Sequence, residues 1–254
     1  MKEQFITNTI NLKSYNISES DKIIVMYSKE KGLIKGVAKG IKKTKSKLGG
    51  RMELLVANKM LLNKGRNLDT ICQAEALNTF LNLRSDMNKL FYSMYCCEIV
   101  SNFGTENDPN SEEIYNLFYS FLERMSEAKT KKQAMLCVLR FQLKIMDITG
   151  YSIELNNCVK CLKKPCTSEI YFAVEHGGIL CKTCAQDINK KIKIPQKILD
   201  FLYTLLIEDF NLNTRYDELA TEKICDICIN LLKNYIEYYS PKRFKTLQML
   251  ESIR

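Results

Sequence analysis

Two pairs of cysteines, each with two residues between its members, stand in the second half of the 254-residue chain. Cys158 pairs with Cys161 and Cys181 pairs with Cys184, with nineteen residues between the two pairs. This spacing turns the two thiolates of a pair towards one ion, so two pairs supply the four ligands of a tetrahedral Zn²⁺ site. Four thiolates leave no position for water, which predicts a structural zinc ion. The alternative is four unligated thiols in a core.

The segment between the two pairs predicts how the second pair reaches the first. Its residues, EIYFAVEHGGIL, favour a small hairpin. Cys166 and His176 also lie between the pairs, but a complete set of four thiolates makes both of them non-ligands. A third such pair, Cys225 and Cys228, falls in a helical pattern, which predicts packing in a core rather than metal binding.

Positive charge is concentrated near the N-terminus. The chain carries a formal charge of +9, and residues 29–66 hold twelve Lys or Arg against two acids, which gives this segment +10. Such a cationic loop can follow the phosphates of a nucleic acid without reading sequence. A solvated loop and a nuclear-targeting signal are the alternatives. The residues predicted to contact nucleic acid are Lys35, Lys39, Lys42, Lys43, Lys45, Lys47, Arg51 and Arg66.

The periodicity of apolar residues divides the chain in two. Before Asn78 it predicts five short strands, at 5–17, 22–28, 33–40, 53–63 and 68–77, and a five-stranded barrel of this size is typical of the OB-fold. Phe5, Tyr15 and Tyr27 are its candidate aromatic platforms for bases. After Asn78 the period becomes 3.6, which predicts helices at 87–103, from 110 or 111, at 130–149, at 195–209 and at 221–239.

These patterns together predict an α+β protein with two domains. Residues 1–80 form an N-terminal five-stranded OB-fold barrel that binds nucleic acid. Residues 81–254 are predicted to form an all-helical domain with an embedded four-cysteine, zinc-binding insertion at about 155–188.

Composition argues against several classes of function. The chain has one histidine, and it lacks a phosphate-binding G-x4-G-K-[ST] loop, so we expect no enzyme activity. No apolar run approaches 18 residues and no signal peptide is evident, which predicts a cytoplasmic protein without a membrane span. Eleven cysteines in such a chain indicate thiols and metal ligands rather than disulfides.

Several segments together resemble the RecO family of bacterial DNA repair and recombination mediators. The likeness covers nearly the whole chain. Its quoted segments are GVAKGIKKTKSKLGGRME, LFYSMYCCEIV, VLRFQLKIMDITGYSIELNNCVKC, YFAVEHGGILCKTC and PKRFKTLQMLESI. Many members carry a glycine after the second cysteine of the first pair, where this chain has Leu162.

The resemblance implies an N-terminal OB-fold, a helical domain and, embedded in that domain, a four-cysteine zinc-ribbon-like module. It also implies binding of single- and double-stranded DNA, annealing of complementary strands and association with the nucleoid. The implied partners are RecR and the C-terminal tail of single-strand-binding protein, with RecA loaded indirectly. A pocket for that acidic, apolar tail needs cations beside apolar walls, and Lys131, Lys132 and Arg140, near Phe141, are the candidates. Ordinary surface charge is the alternative for these three residues.

Two other functions stay open at this point. One is a zinc-stabilised scaffold of the transcription or translation machinery whose basic loop meets RNA or an acidic protein. The other is a nuclease with an unusual site.

Overall fold

A computed structural model describes residues 3–44, 46–166, 169–207 and 220–246. The chain forms two compact units. The first contains residues 1–127 together with 244–254, and the second contains residues 128–243.

Five strands open the first unit and form a closed barrel in the order β1-β2-β3-β5-β4. The first strand pairs antiparallel with the second and with the fourth, and the third meets the fifth in a short parallel pair. The fourth strand begins later than the sequence predicts, because Leu55 takes a left-handed conformation (φ 66°) that interrupts the extended chain. The strands are β1 Gln4–Asn16, β2 Lys22–Ser28, β3 Gly32–Ala38, β4 Ala57–Asn63 and β5 Asp69–Asn78.

A glycine allows the barrel to close. Gly36 pairs with Asp69 where β3 meets β5, and a Cβ atom at this position would lie 2.8 Å from Cγ1 of Ile71. A larger residue would force the Ile71 side chain to shift, so glycine suits this close approach of the two strands. The interior is filled by alternating apolar side chains, which include Ile24, Met26, Ile34, Met60, Leu62 and Ile71.

Two helices complete the described part of the first unit, α1 Met87–Phe103 and α2 Ser111–Glu127. Asp86 caps α1, since its carboxylate accepts the backbone N–H groups of Asn88 and Lys89 at 2.8 and 3.2 Å. Glu98, buried on α1, accepts backbone N–H groups of Lys245 and Thr246 at 2.9 Å. This carboxylate therefore anchors the C-terminal segment to α1.

Replacing Glu98 with Ala should release that segment. The carboxylate also accepts from Thr246 Oγ1 at 2.8 Å, and hydrogen bonds to a charged group contribute about 1.5–3 kcal/mol each. We expect faster proteolysis of the C-terminus and a lower melting temperature of the first unit. Glu113→Ala, at an exposed position of α2, is the matched control. Equal proteolysis rates for the two variants would contradict the anchoring role.

The second unit joins three long helices to a small sheet. Thr130 caps the first helix, because its hydroxyl accepts the backbone N–H of Gln133 at 3.2 Å. This helix packs against both of the others. The elements are α3 Lys131–Ile148, β6 Ile170–Ala173, β7 Gly178–Cys181, α4 Lys182–Ala185, β8 Ile192–Ile194, α5 Gln196–Ile207 and α6 Glu222–Tyr239. The last two residues of the helix predicted at 195–209 lie outside the described residues.

The hairpin predicted between the cysteine pairs is present as β6 and β7, and β8 adds a third strand, in the order β7-β6-β8. Cys225 and Cys228 are buried on α6, as the helical pattern predicts. None of the described helices combines the length and apolarity that crossing a bilayer requires.

Candidate metal centre and nucleic-acid interface

The four predicted cysteines converge. One sulfur from each of Cys158, Cys161, Cys181 and Cys184 lies within 4.8 Å of all the others, and Sγ of Cys161 and Cys181 are 4.0 Å apart. Tetrahedral Zn–S bonds of about 2.3 Å place sulfurs about 3.8 Å apart. The donor set and its spacing therefore fit one tetrahedral metal ion. Among the described residues this is the one such cluster, and Cys166 and His176 are outside it.

Local structure holds each pair in place. Cys158 begins a tight turn, in which its carbonyl accepts the N–H of Leu162 at 2.8 Å and its own N–H donates to Lys163 at 2.9 Å. Cys181 ends β7 and precedes α4, which carries Cys184. The N–H of Val159 donates to Ile179 on β7 at 2.9 Å, and this bond joins the two pairs.

The thiols of the cluster differ in pKa because their hydrogen-bond partners differ. Burial raises the pKa of Cys158, but backbone N–H groups of Cys161, Cys181 and Lys160 outweigh it and lower the pKa to about 6. The pKa of Cys184 is raised to about 12, mainly by its hydrogen bond with Cys181 and to a smaller extent by burial. A first thiolate thus forms readily while further ionisation is opposed. A cation at the centre of the cluster removes that opposition.

The hairpin of the metal module needs the second glycine of its HGG sequence. A Cβ atom on Gly178 would lie 2.4 Å from the carbonyl oxygen of Glu154. The same oxygen accepts the N–H of Ile179 at 3.0 Å, so the segment before Cys158 packs directly on β7. This close approach brings the first pair of cysteines to the second.

Leu162 is held in an unfavourable conformation. It has a φ of 60°, the left-handed region that costs a residue with a Cβ about 1–2 kcal/mol. Its side chain is 78% exposed. The turn therefore has the geometry that a glycine would favour, and Leu162 gains no burial in exchange.

The basic loop between β3 and β4 is fixed to the barrel at both ends. At its start, the N–H of Gly40 donates to Asp21 Oδ1 at 2.7 Å, and this bond is the main cause of a lowered pKa for Asp21. At its end, the side-chain amides of Asn11 and Asn58 both donate to the carbonyl of Arg51 at 2.8 Å. The two ends of the loop therefore have defined positions on the barrel.

Apolar residues point into the barrel while the cations point out. Ile41 and Met52 of the loop are buried in the barrel core. The cations Lys39, Lys42, Lys43, Lys47 and Arg51 are exposed, and within the described ranges none of these five has an acidic side chain within ion-pair distance. Lys45, also predicted to contact DNA, lies outside the described residues.

The other two predicted DNA contacts, Lys35 and Arg66, line one cleft between β3 and the β4–β5 turn. Phe5, Lys31 and Lys64 line the same cleft, together with the acids Asp69 and Glu106, and the sequence did not indicate that these residues come together. The ammonium of Lys31 lies 3.8 Å from the centre of the Phe5 ring. The high density of lysines in residues 29–66 was the available signal, but it could not reveal which of them share a cleft.

The outer face of β3 connects the cleft to the loop. Lys35 is exposed on β3, and Lys39 is exposed in the turn that directly follows the strand. We call the cleft, this face and the β3–β4 loop the cationic surface. Tyr27, a predicted base platform, is fully buried and donates to Asp108 at 3.1 Å, so that prediction is wrong. Tyr15 is exposed.

The predicted tail-binding residues lie on α3 with their apolar neighbour buried. Lys131 is exposed and Lys132 is half-buried in the first turn. Arg140 donates to the carbonyl of Leu205 at 2.8 Å, and Phe141 is 1% exposed. The structure thus places the three cations on one helix.

Fold and site define a class of protein in which a closed β-barrel with a cationic surface precedes helices and a four-cysteine metal-binding module. Sequence comparison gives the family. The model for the N-terminal part of recombination protein O matches residues 1–80, and the model for its C-terminal part matches residues 84–248. The chain belongs to the RecO family of DNA repair proteins, which gives it a role in DNA repair and recombination.

Curated relatives agree with this assignment. A protein of Desulforamulus reducens named DNA repair protein RecO is 31% identical over 248 residues, which cover 97% of this chain and 93% of the relative. A protein of the same name from Acetivibrio thermocellus is 26% identical over 250 residues, which cover 97% and 96% of the two chains.

Proposed function

We propose that this protein is a non-enzymatic recombination mediator. It binds single- and double-stranded DNA, anneals complementary strands and, with RecR, helps to load RecA onto DNA coated with single-strand-binding protein. The observation that carries the proposal is the cationic surface. Its loop is fixed by Asp21, Asn11 and Asn58 while five cations remain exposed and without ion pairs in the described part of the chain.

The barrel supports the proposal through its topology. We propose that it is an OB-fold domain spanning about residues 1–80, with residues 81–254 as the helical domain and the zinc module as an insertion at about 155–188. The OB-fold binds oligonucleotides on the face of β2 and β3 and with the loop between β4 and β5. Lys35 of β3 and Arg66 of the β4–β5 turn line one cleft, which matches that arrangement.

The metal centre is proposed to hold Zn²⁺ in a structural role. Four thiolates are the soft, tetrahedral donor set that zinc prefers. The ion would join the first turn to the end of β7. It would supply folding energy to a module whose buried core contains only a few side chains, among them Ala173, Leu180 and Ala185.

Annealing follows from charge. Two DNA strands repel each other, and a surface that neutralises the phosphates of one strand lowers the barrier to meeting its complement. Lys131, Lys132 and Arg140 remain the proposed contacts for the tail of single-strand-binding protein. The protein is proposed to act in the cytoplasm at the nucleoid.

The test is annealing of complementary oligonucleotides that have been coated with single-strand-binding protein. We expect this chain to accelerate duplex formation and salt to suppress the acceleration. Unchanged annealing in the presence of the protein would refute the proposal. Cleavage of labelled DNA with Mg²⁺ would instead indicate a nuclease, and tighter binding of structured RNA than of DNA at fixed salt would indicate the scaffold function.

A further inference from the structure

The metal module carries an exposed basic tip that the structural role of zinc does not explain. Between Cys158 and Cys166 the sequence is CVKCLKKPC, with three lysines and no acid. Lys160, Lys163 and Lys164 are all exposed. We call these three lysines and Leu162 the knuckle tip.

Other lysines of the module form ion pairs with acidic side chains, unlike the lysines of the knuckle tip. Lys182 and Lys193 both pair with Glu169, at 2.7 and 3.2 Å, and Lys190 pairs with Glu175 at 2.9 Å. No such ion pair is found for the three lysines of the knuckle tip within the described residues. Lys164 shares a small cleft with Asp200, whose Oδ1 accepts from Gln196 Nε2 at 2.7 Å.

The conformation and exposure of Leu162 are a second observation that points to a ligand at the knuckle tip. It stands at the apex of the turn in a left-handed conformation, with its side chain 78% exposed. Neither turn geometry nor burial accounts for a leucine here, since glycine would remove the strain. Strained residues are retained where a function uses them. An apolar side chain surrounded by ammonium groups matches a ligand that has an apolar face and an anionic backbone.

We propose that the knuckle tip is a second contact for single-stranded DNA, separate from the cationic surface of the barrel. Its three lysines contact phosphates, and Leu162 packs against an unstacked base. Single strands present such bases, whereas a duplex keeps them stacked. The proposal rests on DNA being the ligand of this chain, and it adds a site and a preference for single strands.

A competing explanation is that these lysines balance the charge of the metal centre. Four thiolates and one divalent cation carry a net charge of −2, which nearby ammonium groups would offset. The two explanations predict different results when the three lysines are removed. Charge compensation predicts loss of zinc when the lysines are removed, and the DNA contact predicts retained zinc with weaker binding.

The first experiment compares two triple variants of the full chain, Lys160→Ala/Lys163→Ala/Lys164→Ala and Lys190→Ala/Lys193→Ala/Lys197→Ala. Both lose the same charge, so long-range attraction falls equally. We expect the tip variant to keep its zinc. Its plot of log K for oligo-dT against log salt concentration should be less steep than that of the wild type, by about 0.7 for each lost phosphate contact. The control should keep the wild-type slope. Equal slopes in the two variants, or zinc loss in the tip variant, would overturn the proposal.

The second experiment uses Leu162→Gly, which separates folding from binding. Relief of the strained turn should raise the melting temperature of the zinc-loaded protein by about 3 °C. Affinity for oligo-dT should nevertheless fall several-fold while affinity for duplex DNA stays unchanged. Unchanged affinity for oligo-dT would contradict the role of Leu162. Wild-type protein that binds no DNA would defeat the proposed function itself, whereas wild-type binding with no effect of the tip variants defeats only this inference.

Discussion

Replacing Cys158 with Ser should abolish stoichiometric zinc binding and unfold the four-cysteine module. Cys158 is fully buried and its sulfur lies within 4.8 Å of those of the three other cysteines. A hydroxyl is a poor ligand in this position, and structural zinc contributes on the order of 10 kcal/mol to the folding of a small module. Zinc content after dialysis and the rate of proteolysis around residues 155–194 measure the effect.

Cys166→Ser is the matched control, because it removes a thiol that lies between the two pairs without belonging to the cluster. It should retain one zinc per chain and wild-type resistance to protease. If the Cys158 and Cys166 variants retained zinc equally, or if the purified wild-type chain held no metal after zinc supplementation, the metal assignment would be wrong.

The second large effect is expected from the basic loop. Substituting Ala for Lys39, Lys42, Lys43 and Lys47 should weaken oligo-dT binding at least 100-fold at 0.1 M salt. Each phosphate contact with a single strand releases about 0.7 counterions, and this contribution to affinity is lost with the contact. The fold should survive, because the loop is held by backbone bonds to Asp21 and Ser20 and by the buried side chains of Ile41 and Met52. Fluorescence anisotropy measures the affinity.

Four lysines of the second unit, Lys190, Lys193, Lys197 and Lys223, provide a control of equal charge. All four are exposed, and their replacement by Ala changes the net charge by the same amount. We expect a loss of affinity well below that of the loop variant. Losses of equal size would mean that net charge, rather than the cationic surface, governs binding.

Local signals in the sequence were enough to predict most elements. Alternation and helical periodicity predicted the five strands and the bounds of α1, Met87–Phe103, and the C-x2-C spacing predicted which four cysteines lie close together. These features depend on neighbouring residues, which a sequence displays directly.

Features that depend on distant residues were not predictable in this way. β8 has three residues and forms only because β6 offers a free edge. Leu55 interrupts an apolar run that alternates like a strand, and Tyr27 is buried by elements that follow it by some eighty residues. The cleft of Lys31, Lys64 and Phe5 requires the β4–β5 turn to meet the start of β1 and β3, which only the closed barrel brings about.

The central claim is that the cationic surface binds single-stranded DNA through its phosphates. The most direct measurement is the affinity of the wild-type protein for oligo-dT over a range of salt concentrations. With at least five exposed cations on the loop and more in the cleft, log K should fall against log salt with a slope of about −3 or steeper. A slope near zero, or no binding in dilute buffer, would contradict the claim.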